Sequence, residues 1–181
     1  MLNNKFLRNK NSYFLVGGEP LLNVKIKYSG IFNAEALYQG IIDFLDGNGF
    51  GLVEKEFKWK ESNGSYSVES KIEFEKGYEE GIKVEGKLEF SIEGMKDVIV
   101  KKNNVQKKMQ KADNIEIKVK MTYIDNYGSN AKSNIEKILL EIYKKILAKK
   151  HFDNIRKRAE EDASNLVKEI KKLLNLHSYI T

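Results

Sequence analysis

The chain has 181 residues, of which 32% are charged and 41% hydrophobic, with a net charge of +6, one proline and no cysteine. That length and balance suit a globular protein with one real core and room for an appendage. They exclude disulfide scaffolds, thiolate zinc sites, iron–sulfur clusters and thiol nucleophiles, and no apolar run approaches the roughly 20 residues of a spanning helix.

The opening stretch, MLNNKFLRNKNSYFLVGGEPLL, has one short apolar piece, Tyr13 to Val16, far too short for the core of a signal peptide. A cytoplasmic location is the expectation, with residues 1–20 as an edge strand or an arm. From Leu22 to Tyr28, Val24, Ile26 and Tyr28 alternate with Asn and Lys, the mark of a half-buried strand. Asn33 then has the side chain to accept a bond from an early free N–H, and Ala34, Leu37, Ile41, Ile42, Phe44 and Leu45 follow at helical spacing. Gly47-Asn48-Gly49 stops that helix, because these residues tolerate left-handed backbone.

Four extended runs come next. Phe50–Lys60 carries Leu52, Val53, Phe57 and Trp59, and Asn63-Gly64 supplies a primed hairpin turn. Tyr66–Lys76 and Ile82–Ile92 alternate cleanly, and Val98, Ile99 and Val100 prolong the second of these past a bulge at Gly94-Met95. Ile115, Ile117, Val119, Met121 and Tyr123 form the last strand. Ser133-x-x-Glu136 matches a capping box, and Ile135, Ile138, Leu139, Ile142, Ile146 and Leu147 make a helical stripe behind it. The periodicity resumes at Phe152, Ile155, Ala159, Leu166, Ile170, Leu173 and Leu174. The predicted fold class is α+β: one antiparallel sheet of about five strands in β-α-β-β-β-β-α order, packed by a short helix and a long C-terminal helix.

A helix from Ser133 to Leu176 would reach about 65 Å, roughly twice what such a sheet needs for cover. Either it breaks near Lys149-Lys150-His151, or its second half leaves the sheet and meets another chain. The expected division is therefore an arm at 1–20, an α+β domain at 21–150 and a helical extension at 151–181.

Charge is unevenly spread. Residues 61–95 hold 4 basic and 9 acidic side chains, residues 96–124 hold 8 and 3, and residues 125–181 hold 12 and 8. Lys101, Lys102, Lys107, Lys108 and Lys111 crowd the turn between the last two strands. They suit an acidic partner or a nucleic acid, but residues 98–121 contain no aromatic stacking platform, and lysines at a hairpin also discourage edge pairing. A second cluster, Lys144 to Arg158, keeps RNA or ribosome association open.

Catalytic signals are poor. His151 and His177 lack a second ligand at metal spacing. Gly47-x-Gly49-x-Gly51 closes a helix instead of opening one, so it reads as a cap and not a phosphate loop. The glutamates from Glu69 to Glu93 alternate with apolar residues and so belong to a solvated sheet face. Asp125 suits the Asp-Asn-x-Gly turn. Asn63-Gly64-Ser65 matches a glycosylation acceptor and reads as a turn.

The helix at Asn33–Asp46 and the helix from Ser133 give the chain an order that resembles the helix-grip, START-like architecture, although the first helix is shorter than that fold's two small helices. The resemblance implies a curved sheet wrapped on a long C-terminal helix, with an apolar ligand or lipid held between them as one functional alternative. The stretches YSGIFNAEALYQGIIDFL, GMKDVIVKK and YIDNYG are similar to those of a family of small archaeal proteins, over about residues 22–175, which implies no activity. The leading expectation is a non-catalytic, cofactor-free and metal-free binding or assembly module. Its expected contacts are Phe152, Ile155, Ala159, Leu166, Ile170 and Leu173 for a protein partner or a second copy, with the five hairpin lysines facing something acidic.

Overall fold

Five strands, β1 (Glu19–Phe32), β2 (Gly51–Ser62), β3 (Ser65–Glu79), β4 (Ile82–Lys102) and β5 (Val105–Asp125), form one antiparallel sheet in the order β1-β5-β4-β3-β2. The coordinates are a computed structural model that describes residues 18–62, 64–102, 105–129 and 131–175. The class and element order match those predicted from the sequence. β2 to β5 are successive hairpins, whereas β1 and β2 lie on opposite edges. The helix between them, α1 (Ala34–Gly47), must therefore carry the chain across the whole sheet.

Alternation sorts the two faces. Leu88 sits opposite Val119, Phe90 opposite Ile117 and Ile92 opposite Ile115, and all six are buried. One residue out of phase, the other face is a lattice of charges. Glu116 takes Lys25 and Lys118 at 3.2 Å each, and these contacts hold its carboxyl below the usual range, the Lys118 bond contributing most. Glu56 is brought down to about 2, chiefly by hydrogen bonds from Lys58 and Lys71. Both carboxylates are half-buried among lysines that are themselves exposed, so these pairs set register and solubility more than stability.

On the apolar face α1 buries Leu37, Ile41 and Leu45. Its start is fixed by the Asn33 side chain, which accepts a bond from the Ala36 N–H at 2.9 Å. Beside it lies α3 (Lys149–Asn175), whose Ile155, Ala159, Ala163, Leu166, Ile170 and Leu174 recur every three or four residues and are all buried. The two alanines keep the middle of that stripe low, so the helix can come close to the sheet. Gly40 does the same for the helix pair, since a Cβ there would stand 2.8 Å from a Leu173 methyl. A polar clamp fixes α3 along β3. Asp162 accepts bonds from Lys76 Nζ at 2.5 Å and from the Tyr78 hydroxyl at 2.6 Å. Burial, then the Asp162 carboxylate, raise the Tyr78 phenol well above its ordinary value.

The long helix expected from Ser133 is not continuous. α2 (Asn134–Ile142) begins with the predicted capping box: the Glu136 N–H donates to Ser133 Oγ at 3.1 Å and the Ser133 N–H to Glu136 Oε2 at 3.2 Å. The backbone then widens into a π-turn over Tyr143–Leu147, closed by the Ala148 N–H on the Tyr143 carbonyl at 2.8 Å, and Ala148 bends before α3 starts. The break lies just ahead of the Lys149-Lys150-His151 stretch named from the sequence.

Candidate functional site

The residues expected to meet a partner are in the chain's own core. Ile155 is 4% exposed, and Ala159, Leu166 and Ile170 are at 0–1%. Phe152 and Leu173 are half-buried against the same cluster. The expectation that the second half of the C-terminal helical region projects is thus corrected. The break at Ala148 lets α3 lie down beside α1 on the sheet, where its stripe is covered intramolecularly.

The uncovered apolar surface is the first half. Ile135, Ile138, Leu139, Ile142, Tyr143, Ile146 and Leu147 are between 43% and 77% exposed. The side turned toward the rest of the protein is Leu140, Lys144 and Ala148, each half-buried. Two contacts hold this orientation. Leu140 lies against Gly128, where any Cβ would come within 2.1 Å of a leucine methyl and where φ is +72°, so only glycine fits without strain. Lys144 Nζ reaches Asp125 Oδ1 at 2.7 Å and lies over the rings of Tyr127 and Phe152 at 5.3 and 5.5 Å. An amphipathic helix ordinarily turns its apolar face to the core. This one is pinned from its opposite side, through Leu140 and Lys144, and shows its main apolar face to solvent. That face amounts to several hundred Å², on the order of the largest patches a monomer carries.

A signal for this was present in the sequence. At about 100° per residue, the stripe through Ile135, Leu139, Ile142 and Ile146 is offset from the one through Ile155, Ala159, Leu166 and Ile170 by about 140°. One straight helix cannot lay both stripes on one sheet.

The hairpin lysines do not converge. Lys107 pairs opposite Val100 and Lys111 opposite Lys96, while Lys108 pairs opposite Ile99 and Lys101 opposite Gln106. By strand alternation, Lys107 and Lys111 share one face of the ribbon, and Lys101 and Lys108 the other. Lys108 is paired with Asp97 at 2.9 Å, an interaction that raises the ammonium and lowers the carboxyl. Lys102 belongs to β4, but its side chain is outside the described residues.

Asp125 has the turn role expected of it, accepting the Tyr127 N–H at 3.0 Å, and it also anchors Lys144. Its surroundings form a polar hollow of about 370 Å³ lined by Glu19, Tyr123, Asp125, Phe152, Asp153 and Arg156. Arg156 reaches Glu19 at 2.5 Å, so the hollow closes on its own ion pair. His151 lies 2.6 Å from Glu79, and among the described residues no group of three or more His, Asp or Glu side chains is placed to hold a metal ion. His177 and Asn63 are outside the described residues. A second exposed apolar patch, Phe57 and Trp59 with Trp59 packed on Tyr66 at 5.0 Å, lies far along edge strand β2. No helix among the described residues is long and apolar enough to cross a membrane.

The chain matches no family model, and no curated protein is significantly similar to it.

Proposed function

We propose that the chain is a non-catalytic contact module, a sheet-and-helix scaffold that presents residues 134–147 with the apolar side outward for attachment to another surface. One observation carries this reading: the helix is docked by Leu140 and Lys144 while seven large apolar side chains face solvent. A protein gains nothing in its own stability from that arrangement, because burying those groups is where the hydrophobic effect lies. The interior between sheet and helices is filled, with Ile41, Leu45, Ile72, Leu88, Leu166 and Ile170 each at 0–1% exposure. That filling favours an external contact over an apolar ligand held between sheet and helix.

The test is an apolar fluorescent dye added to the folded chain. The expected result is enhanced emission that falls several-fold in the double variant Ile138→Asp, Ile142→Asp, with circular dichroism and melting temperature unchanged. If the wild-type chain gives no enhancement, or the variant keeps all of it, the face is not available and the reading is wrong.

A further inference from the structure

We infer that the surface met by residues 134–147 is an anionic lipid bilayer, with the helix lying in the plane of the headgroups. The inference rests on the contact-module reading and adds the chemistry of the partner.

Charge chooses among the occupants. From Lys132 to Lys150 the chain carries six lysines and two glutamates. Both glutamates are engaged within the chain. Glu136 Oε2 accepts the Lys132 and Ser133 N–H groups, and Glu141 pairs with Lys145 at 3.1 Å. Lys144 is drawn inward to Asp125. Among the described residues, Lys137, Lys149 and Lys150 have no acidic partner. Lys137 is exposed on the side opposite the apolar face, and Lys149 and Lys150 are exposed just past the end of the segment. An apolar helix face backed and flanked by unpaired lysines is the charge signature of a helix that binds an anionic interface. A second copy suits the face less well, because it brings an equally lysine-rich segment against the first.

Shape agrees. The face is the outer side of a helix, and the hollow of about 460 Å³ at its edge, between Gly128, Ala131 and Leu139, Leu140 and Tyr143, is shallow and wide open to solvent, without the enclosure that grips a defined ligand. A deformable bilayer accepts such a surface directly, the isoleucines and leucines entering the acyl boundary while the lysine heads stay at phosphate level. The segment of 14 residues spans about 21 Å, short of the roughly 30 Å hydrocarbon core, so the geometry is that of lying on the bilayer and not crossing it.

The pinning matters as well. A free peptide of this length is a marginal helix in water and must fold as it binds. Here the capping box, Gly128 and the Lys144 contact hold the helix ready, so its ordering cost is already met by the fold.

The experiment is co-sedimentation of the full chain with vesicles of phosphatidylcholine alone and of phosphatidylcholine with a third phosphatidylglycerol, alongside light scattering without lipid. The expected result is retention on the anionic vesicles, at least tenfold weaker on neutral ones and weakened by added salt. Ile138→Asp with Ile142→Asp should abolish retention on both. Lys137→Glu with Lys149→Glu and Lys150→Glu should remove the anionic preference, with the melting temperature held as the control for folding. Equal retention on the two vesicle types, or retention that survives the isoleucine pair, overturns the lipid assignment. So does a dimer in light scattering that the isoleucine pair dissolves in a chain that ignores vesicles; that result places a second copy on the face and leaves the contact-module reading standing. Failure of the dye experiment removes both.

Discussion

Residues 134–147 and 149–175 are neighbours, both helical and both amphipathic, and they meet opposite fates. In α3 the stripe is covered by the sheet and α1. In α2 and its π-turn, side chains of the same kind stay in solvent. An apolar period in a sequence therefore says that a face needs covering. It does not say what covers it. The deciding information is the phase of one stripe against the next, and the π-turn with the bend at Ala148 is where the phase resets.

The sharpest way to break this contrast is to truncate one side chain in each half. Leu166→Ala or Ile170→Ala removes a side chain at 0–1% exposure and leaves a cavity against the sheet, so each should cost about 2–5 kcal/mol. Ile138→Ala and Ile142→Ala act on residues that are 60% and 46% exposed and should stay within about 0.5 kcal/mol of wild type. Urea unfolding of the four variants measures both halves. A cost at Ile138 comparable to that at Leu166 would mean that the folded chain covers residues 134–147 after all, and the comparison would fail.

A smaller and more local effect is expected at Gly128. Alanine there carries a strained positive φ, and its Cβ collides with Leu140. The side chain has nowhere to go without lifting α2. The loss should be about 1–2 kcal/mol, confined to the seat of that helix. Amide exchange in residues 134–147 should quicken about tenfold while the amides of α3 keep their protection. Equal quickening in both would show that the two segments open as one unit.

Much of the architecture was legible. Alternation within Tyr66–Lys76, Ile82–Ile92 and Ile115–Tyr123 is a two-residue period that suits a half-buried antiparallel sheet, and Asn33 and Ser133 mark helix starts through the hydrogen bonds their side chains make. The candidate surface was harder to place, for a physical reason. Ile142 and Ile155 read alike in a hydropathy pattern, and what separates them is a backbone break between them that no Gly or Pro announces. The hairpin lysines misled in another way. Clustered in sequence, they are divided in space because a strand sends successive residues to opposite faces. The dual role of Asp125, turn acceptor and anchor for Lys144, depends on a partner 19 residues away that local turn chemistry does not reveal.

The smallest expected effect concerns how α3 is held, and it can be read from pH. Burial first, then a nearby carboxylate, push the phenols of Tyr38 and Tyr123 up to about 12, and Tyr78 shifts in the same direction from burial and its bond to Asp162. A tyrosine in the unfolded chain ionises near pH 10. Above that pH the unfolded chain releases protons that the folded chain still holds, so the contribution of these residues is complete below about pH 10 and is lost as the pH climbs through the folded values. Tyr78→Phe keeps the ring but deletes the hydroxyl, and Lys76 remains on Asp162. At pH 8 the variant should therefore lose only about 1 kcal/mol, and its stability should fall less steeply than wild type between pH 10 and 11. Urea unfolding at pH 8, 9, 10 and 11 supplies both curves. Parallel curves would mean that the Tyr78 hydroxyl is neither buried nor bonded to Asp162 in the folded chain, and the polar clamp that sets α3 apart from residues 134–147 would have to be sought elsewhere along β3.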